Sequence, residues 1–123
     1  MKNQLVLKQI PTLLNRLYIP IIRNGKPSII KSKDGRESTK FIQMECIRQK
    51  ANNMLTGGLS MKIDFCIAKG KREPDIDGIL KLLLDSLEGV MYRNDKSVLF
   101  LQVAKHLDQD ESELVILVEE LEK

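Results

Sequence analysis

At 123 residues, 42% of them hydrophobic, the chain is long enough for one core-forming domain over residues 1–123 and too short for a second of ordinary size. No apolar run approaches the roughly 18 residues of a membrane-spanning helix, and Leu5-Val6-Leu7 is far too short for a secretory signal, so a cytoplasmic protein with no membrane contact is expected. The net charge of +3 hides a division: residues 1–72 hold 15 Lys or Arg against 4 Asp or Glu, and residues 73–123 hold 5 against 13, which suits a basic surface for a polyanion beside carboxylates for a cation.

In chain order, Leu5 to Ile10 reads as a first strand, followed by a loop from Pro11 to Tyr18. Ile19 to Arg23 and Ser28 to Lys31 flank Asn24-Gly25, the dipeptide of a tight hairpin turn. Lys31 to Ser38, polar and containing Asp34-Gly35, reads as an exposed mobile loop. Ser38 or Thr39 then caps a helix running to about Leu55, with Phe41, Met44, Ile47, Ala51, Met54 and Leu55 on its apolar side. Asn52-Asn53 and Gly57-Gly58 close that helix.

From Leu59 to Ile67 apolar and smaller or polar residues alternate, the clearest strand pattern in the chain. A basic loop, Lys69-Gly70-Lys71-Arg72, leads through Glu73-Pro74 to Asp77, a natural N-cap for a second helix ending near Glu88 with Gly89 as its stop. Ser97 to Leu107 and Ser112 to Leu121 carry strand-like content on either side of a turn at residues 108–111. The order β, hairpin, α, β, α, β, β predicts an α/β chain of the α+β type: a small mixed sheet with two helices on one face.

The stretch that carries chemistry is Pro74-Asp75-Ile76-Asp77-Gly78-Ile79-Leu80-Lys81, continuing to Asp85 and Asn94-Asp95. Residues two apart in an extended segment point to the same side, so the Asp75 and Asp77 carboxylates can converge. Two anions that close repel each other unless a cation lies between them. Hard oxygen ligands suit Mg²⁺, with Mn²⁺ as a substitute.

Asp77, Lys81, Asp85 and Glu88 fall at helical offsets 0, 4, 8 and 11, a polar stripe on a helix otherwise filled by Ile and Leu. Lys81 in that position either steadies a scissile phosphate or forms an ordinary surface ion pair worth about 0.2–0.5 kcal/mol. With two Cys (Cys46, Cys66) and one His (His106), zinc and disulfide frameworks are not expected. Tyr18 and Tyr92 are the only tyrosines, too few for the stacking platform of a single-strand binder.

Pro74-Asp75-Ile76-Asp77, Lys81, Asp85, Leu87, Gly89-Val90, Tyr92 and Asp95, with the earlier Pro11 to Tyr18 segment, resemble the RusA family of Holliday-junction resolvases. The resemblance runs from Leu5 to the final strand. It implies a metal-dependent endonuclease in which Asp75, Asp77 and Asp95 hold the metal, Lys81 is the catalytic cation and Asp85 supports the site. It also implies DNA contact through Asn15, Arg16, Lys69, Lys71 and Arg72. The partners it implies are a four-way DNA junction and a second copy of the chain, since a two-fold dimer presents two matched sites to a roughly two-fold substrate.

Two positions depart from the family pattern. Gly78 stands where Asn is usual, and Asn94 replaces the first acid of an Asp-Asp pair. Cleavage of flaps or forks, or binding of branched DNA with weakened cutting, are the alternative readings.

Overall fold

The structure, a computed structural model, describes residues 1–11, 18–74 and 76–121, without the side chains of Tyr18 and Ile19. Its elements are β1 (Lys2–Leu7), β2 (Tyr18–Arg23), β3 (Lys26–Lys31), α1 (Lys33–Arg48), β4 (Leu59–Ala68), α2 (Ile76–Leu87), a single 3-10 turn (Asp95–Ser97), β5 (Val98–Gln109) and β6 (Glu113–Glu120). Four strands form one sheet in the order β1-β6-β4-β5, and β2 pairs with β3 in a separate ribbon. The β4–β5 pairing is parallel while β6 runs antiparallel to both β1 and β4. The sheet is therefore mixed, as the element order predicts.

β4 is central because its sequence suits burial on one face. Leu59, Met61, Ile63, Phe65 and Ile67 are buried, while the residues between them are half-buried or exposed. Leu5 and Leu7 of β1 and Leu114, Ile116 and Val118 of β6 extend the same apolar face. Ile42 and Cys46 of α1 and Ile79, Leu82, Leu83 and Leu87 of α2 pack onto it, so both helices cover one side. Each fully buried Leu or Ile side chain contributes on the order of 2 kcal/mol by leaving water.

Several boundaries differ from those expected. β1 begins at Lys2 and ends at Leu7, earlier than Leu5 to Ile10, because pairing with β6 sets its register from Lys2↔Glu119 to Leu7↔Leu114. Residues 33–38, expected as a mobile loop, are the first turns of α1. Ser32 is the N-cap, its hydroxyl accepting the Gly35 N–H at 3.0 Å, so neither Ser38 nor Thr39 caps the helix.

The helix also ends early, without a glycine. Lys50 adopts φ 58, and the N–H groups of Lys50 and Ala51 donate to the Ile47 and Cys46 carbonyls at 3.1 and 2.8 Å. That is the hydrogen-bond pattern of a Schellman stop. Its apolar face has a different phase as well. Phe41, Met44, Ile47 and Met54 are exposed, and Ile42 with Cys46 enters the core, joined beyond the helix by Ala51 and Leu55.

The hairpin is as expected. Asn24 and Gly25 have φ 52 and 74, the two positive values a type I′ turn requires. No helix is long and apolar enough to cross a membrane among the described residues.

Candidate active site

β4 and β5 are parallel neighbours, so the chain must cross over between them, and α2 is that crossover. The chain leaves β4 through a tight turn in which Gly70 has φ 79, with the Lys71 N–H donating to the Ala68 carbonyl at 3.1 Å. The Lys69 N–H donates to the Gln109 carbonyl at 2.9 Å, fixing the turn to the end of β5. Lys69, Lys71 and Arg72 all project into solvent. The Lys105 ammonium lies 3.6 Å from the Glu73 carboxylate and ties the segment entering α2 back to the sheet.

α2 buries Ile79, Leu82, Leu83, Ser86 and Leu87 and turns its polar stripe outward. Asp77 is exposed and lies within the first turn, not at the N-cap, because the helix already begins at Ile76. The amide groups of that turn favour a negative charge there. Lys81 is exposed one turn on, roughly 6 Å along the axis, and Asp85 is half-buried a further turn away. Asp75, Asn15 and Arg16 lie outside the described residues.

Past α2 the chain folds back on the helix. Gly89, at φ 84, ends the helix as expected, and its N–H donates to the Tyr92 carbonyl at 2.6 Å. Tyr92 is fully buried and its hydroxyl donates to the Leu84 carbonyl at 2.8 Å, so it anchors this return and offers no ring for base stacking. Burial pushes the Tyr92 phenol above its ordinary range, and the nearby carboxylates of Asp95, Glu88 and Asp85 push it further.

The charges of all three acids are thus felt at one buried phenol. Glu88 accepts the Asp95 N–H at 3.0 Å, holding Asp95 against the last turn of the helix. Asn94 is the cap of the 3-10 turn, its side-chain oxygen accepting the Lys96 N–H at 2.9 Å. An Asp could make the same bond, so the departure from the Asp-Asp pattern leaves this cap intact.

The structure joins Asp95 to Glu88 at the end of α2, with Asp85 one turn back, but it does not bring Asp77 and Asp95 together: Asp77 lies eleven residues before Glu88, roughly 16 Å along the helix axis. Among the described residues no three His, Cys, Asp or Glu side chains are grouped so as to hold a metal. The expected triad includes Asp75, which lies outside those residues. The described donors suit a hard divalent cation in kind: Asp77 and Asp95 offer carboxylate oxygens and neither is in an ion pair among the described residues. Sequence reasoning missed the positioning roles of Glu88, Tyr92 and Asn94. Glu88 was visible on the polar stripe, Tyr92 in the family resemblance and Asn94 as a departure from it, but none of these signals announced the role the fold gives it.

Carboxylates and a lysine on one helix, entered by an exposed basic turn, are the parts of a nuclease. Over residues 19–119 the chain matches the family model described as Endodeoxyribonuclease RusA, and it belongs to that family of endodeoxyribonucleases acting on Holliday junctions. No curated protein matches the chain.

Proposed function

We propose that the chain is a divalent-metal-dependent endonuclease, one domain over residues 1–123, that resolves four-way DNA junctions as a homodimer by paired symmetric nicks. The observation that supports this reading is the exposed stripe at the start of α2, where Asp77 and Lys81 stand one turn apart just beyond the basic turn of Lys69, Lys71 and Arg72; Asp95 is held by Glu88 nearer the other end of the helix. Asp75, Asp77 and Asp95 would hold Mg²⁺, or Mn²⁺ in its place. When bound, such an ion supplies Lewis acidity to the phosphate and a lowered pKa to its water.

The chain's own groups do the rest. Lys81 projects from the same helix face as Asp77 and neutralises charge that builds on the phosphate oxygens. Lys69, Lys71 and Arg72 bind the flanking phosphates, with Asn15 and Arg16 as further DNA contacts, and fix the strand over the acidic helix. Asp85 supports the site from the next turn. Phe41, Met44 and Ile47 leave an apolar stripe exposed on α1, and a surface of that kind supports burial against a second copy.

The test is cleavage of a labelled four-way junction, alongside flap, fork and duplex substrates, by wild type and Asp77→Asn with Mg²⁺ or EDTA. Paired nicks that need both metal and Asp77 are expected. Cutting confined to flaps or forks would reassign the substrate, and tight binding by both proteins without nicking would make the chain a binding module.

A further inference from the structure

The β2–β3 ribbon is unlike the rest of the molecule. Its two strands pair with each other and with no other strand, and among the described residues its extensive packing is with itself. Its base is fastened to α1, where the Lys31 ammonium bonds to the Thr39 hydroxyl at 3.0 Å and Arg36 donates to the Lys31 carbonyl at 2.7 Å. Beyond that base the ribbon is about 20 Å long, six residues a strand.

Pairing of Ile22 with Pro27 and of Pro20 with Ile29 puts these four side chains on one face. All four are exposed, Ile22 at 80% and Ile29 at 71%, and an open hollow of about 710 Å³ lies against this part of the ribbon. Arg23 and Lys26 flank the turn on the opposite face, also exposed. Residues 18–31 contain three cations, Arg23, Lys26 and Lys31, and no acid.

The edges of the ribbon narrow the choice of occupant. In a two-residue hairpin the pair beside the turn, Arg23 and Lys26, is hydrogen-bonded, and the alternation makes Ile22↔Pro27 and Pro20↔Ile29 non-hydrogen-bonded pairs. At such positions the N–H would point away from the partner strand, and proline has none. Each free edge therefore lacks one of its outward donors, at Pro20 on β2 and at Pro27 on β3, which weakens addition of a strand from another chain. Face-to-face packing of two copies would cover Ile22 and Ile29 but leave Arg23 and Lys26, on the opposite face, without an anionic partner. A polyanion with an apolar interior suits this surface better, and a two-stranded ribbon fits the major groove of a duplex.

We propose that the β2–β3 ribbon enters the branch point of the DNA, where Ile22 and Ile29 wedge between base pairs while Arg23 and Lys26 hold the flanking phosphates. This rests on the reading of the chain as a branched-DNA nuclease and adds to it the element that opens the branch. Apolar wedges of this kind unstack adjacent bases, and the basic tip offsets the phosphate charge they approach.

The test is a four-way junction carrying 2-aminopurine at the branch-point step, bound in EDTA by wild type and by Ile22→Ser/Ile29→Ser. Both side chains are in solvent, so the variant should unfold at the wild-type temperature. Wild type is expected to raise the 2-aminopurine emission and the variant to leave it flat at saturation. Cleavage of the fully paired junction by the variant should fall about tenfold and recover on a junction with two unpaired bases at its centre.

Equal emission with both proteins overturns the inference. So does a variant that becomes monomeric in sedimentation while still unstacking bases, which would give this face to a second copy. If wild type cuts junctions without any rise in emission, the wedge falls and the nuclease reading stands. If wild type neither binds nor cuts branched DNA, both fall.

Discussion

Replacing Glu88 by alanine should damage the site through Asp95 while leaving the core untouched. The Asp95 N–H donates to the Glu88 carboxylate at 3.0 Å, a hydrogen bond to a charged group, and Glu88 is half-buried. Such bonds contribute about 1.5–3 kcal/mol where dry, and partial solvation reduces that here to about 1 kcal/mol. An unfolding entropy of about 2.1 cal/mol/K per residue gives roughly 260 cal/mol/K for this chain, so Tm should drop by roughly 4 °C. Release of the Asp95 backbone by about 1 Å should lower junction cleavage on the order of 100-fold.

Glu88→Gln keeps an acceptor oxygen at the same place and should retain most of both properties. Calorimetry and single-turnover cleavage on the two variants decide the matter. If Glu88→Gln cuts as poorly as Glu88→Ala while melting like wild type, Glu88 acts through its charge and the positioning argument is wrong.

Further outcomes follow from the same geometry. Replacing Lys69, Lys71 and Arg72 together by alanine should weaken binding to junctions of any sequence and flatten the salt dependence, by about 0.9 in log–log slope for each phosphate left without its cation; fluorescence anisotropy over a salt series reads this. Tyr92→Phe removes the bond to the Leu84 carbonyl and should lower Tm by a few degrees in a thermal melt. The buried neutral phenol of Tyr92 stabilises the fold fully below the ordinary value of 10.0, and because its folded pKa is raised that stability is lost as pH rises past it. Denaturant titrations from pH 8 upward should show the decline in wild type and a smaller one in Tyr92→Phe. Burial pushes the Cys46 thiol up to about 11 and it has no solvent exposure, so a Cys66→Ser variant should take up no thiol reagent at pH 8 until it is unfolded.

What could be read from the sequence was whatever a local pattern determines. The alternation from Leu59 to Ile67 defined β4 because one face of that strand is wholly buried. The Asn24-Gly25 turn was equally legible, since only such residues accept two positive φ values. α1 was not. Asp34-Gly35 has the composition of a turn, yet Ser32 caps the helix before it and the packing of Ile42 and Cys46 sets its phase. Its end at Lys50 carries no glycine to announce it.

The polar stripe on α2 gave Asp77, Lys81 and Asp85 their common side. The meeting of Asp95 with Glu88 depends on the buried Tyr92 and the bend at Gly89, which no periodicity encodes. Nor does any local signal place β6 between β1 and β4.

That last insertion decides how late the sheet is completed. β1 has no neighbour in the sheet except β6, and β4 gains its second neighbour only when β6 arrives, across more than forty residues of intervening chain. Pairings between segments so distant in sequence form late and slowly. A ribosome that has delivered α2 and β5 has therefore delivered every acidic residue of the site without the sheet that supports them. A chain from which residues 113–120 are removed would leave β1 without a neighbour and α2 over a sheet of two strands.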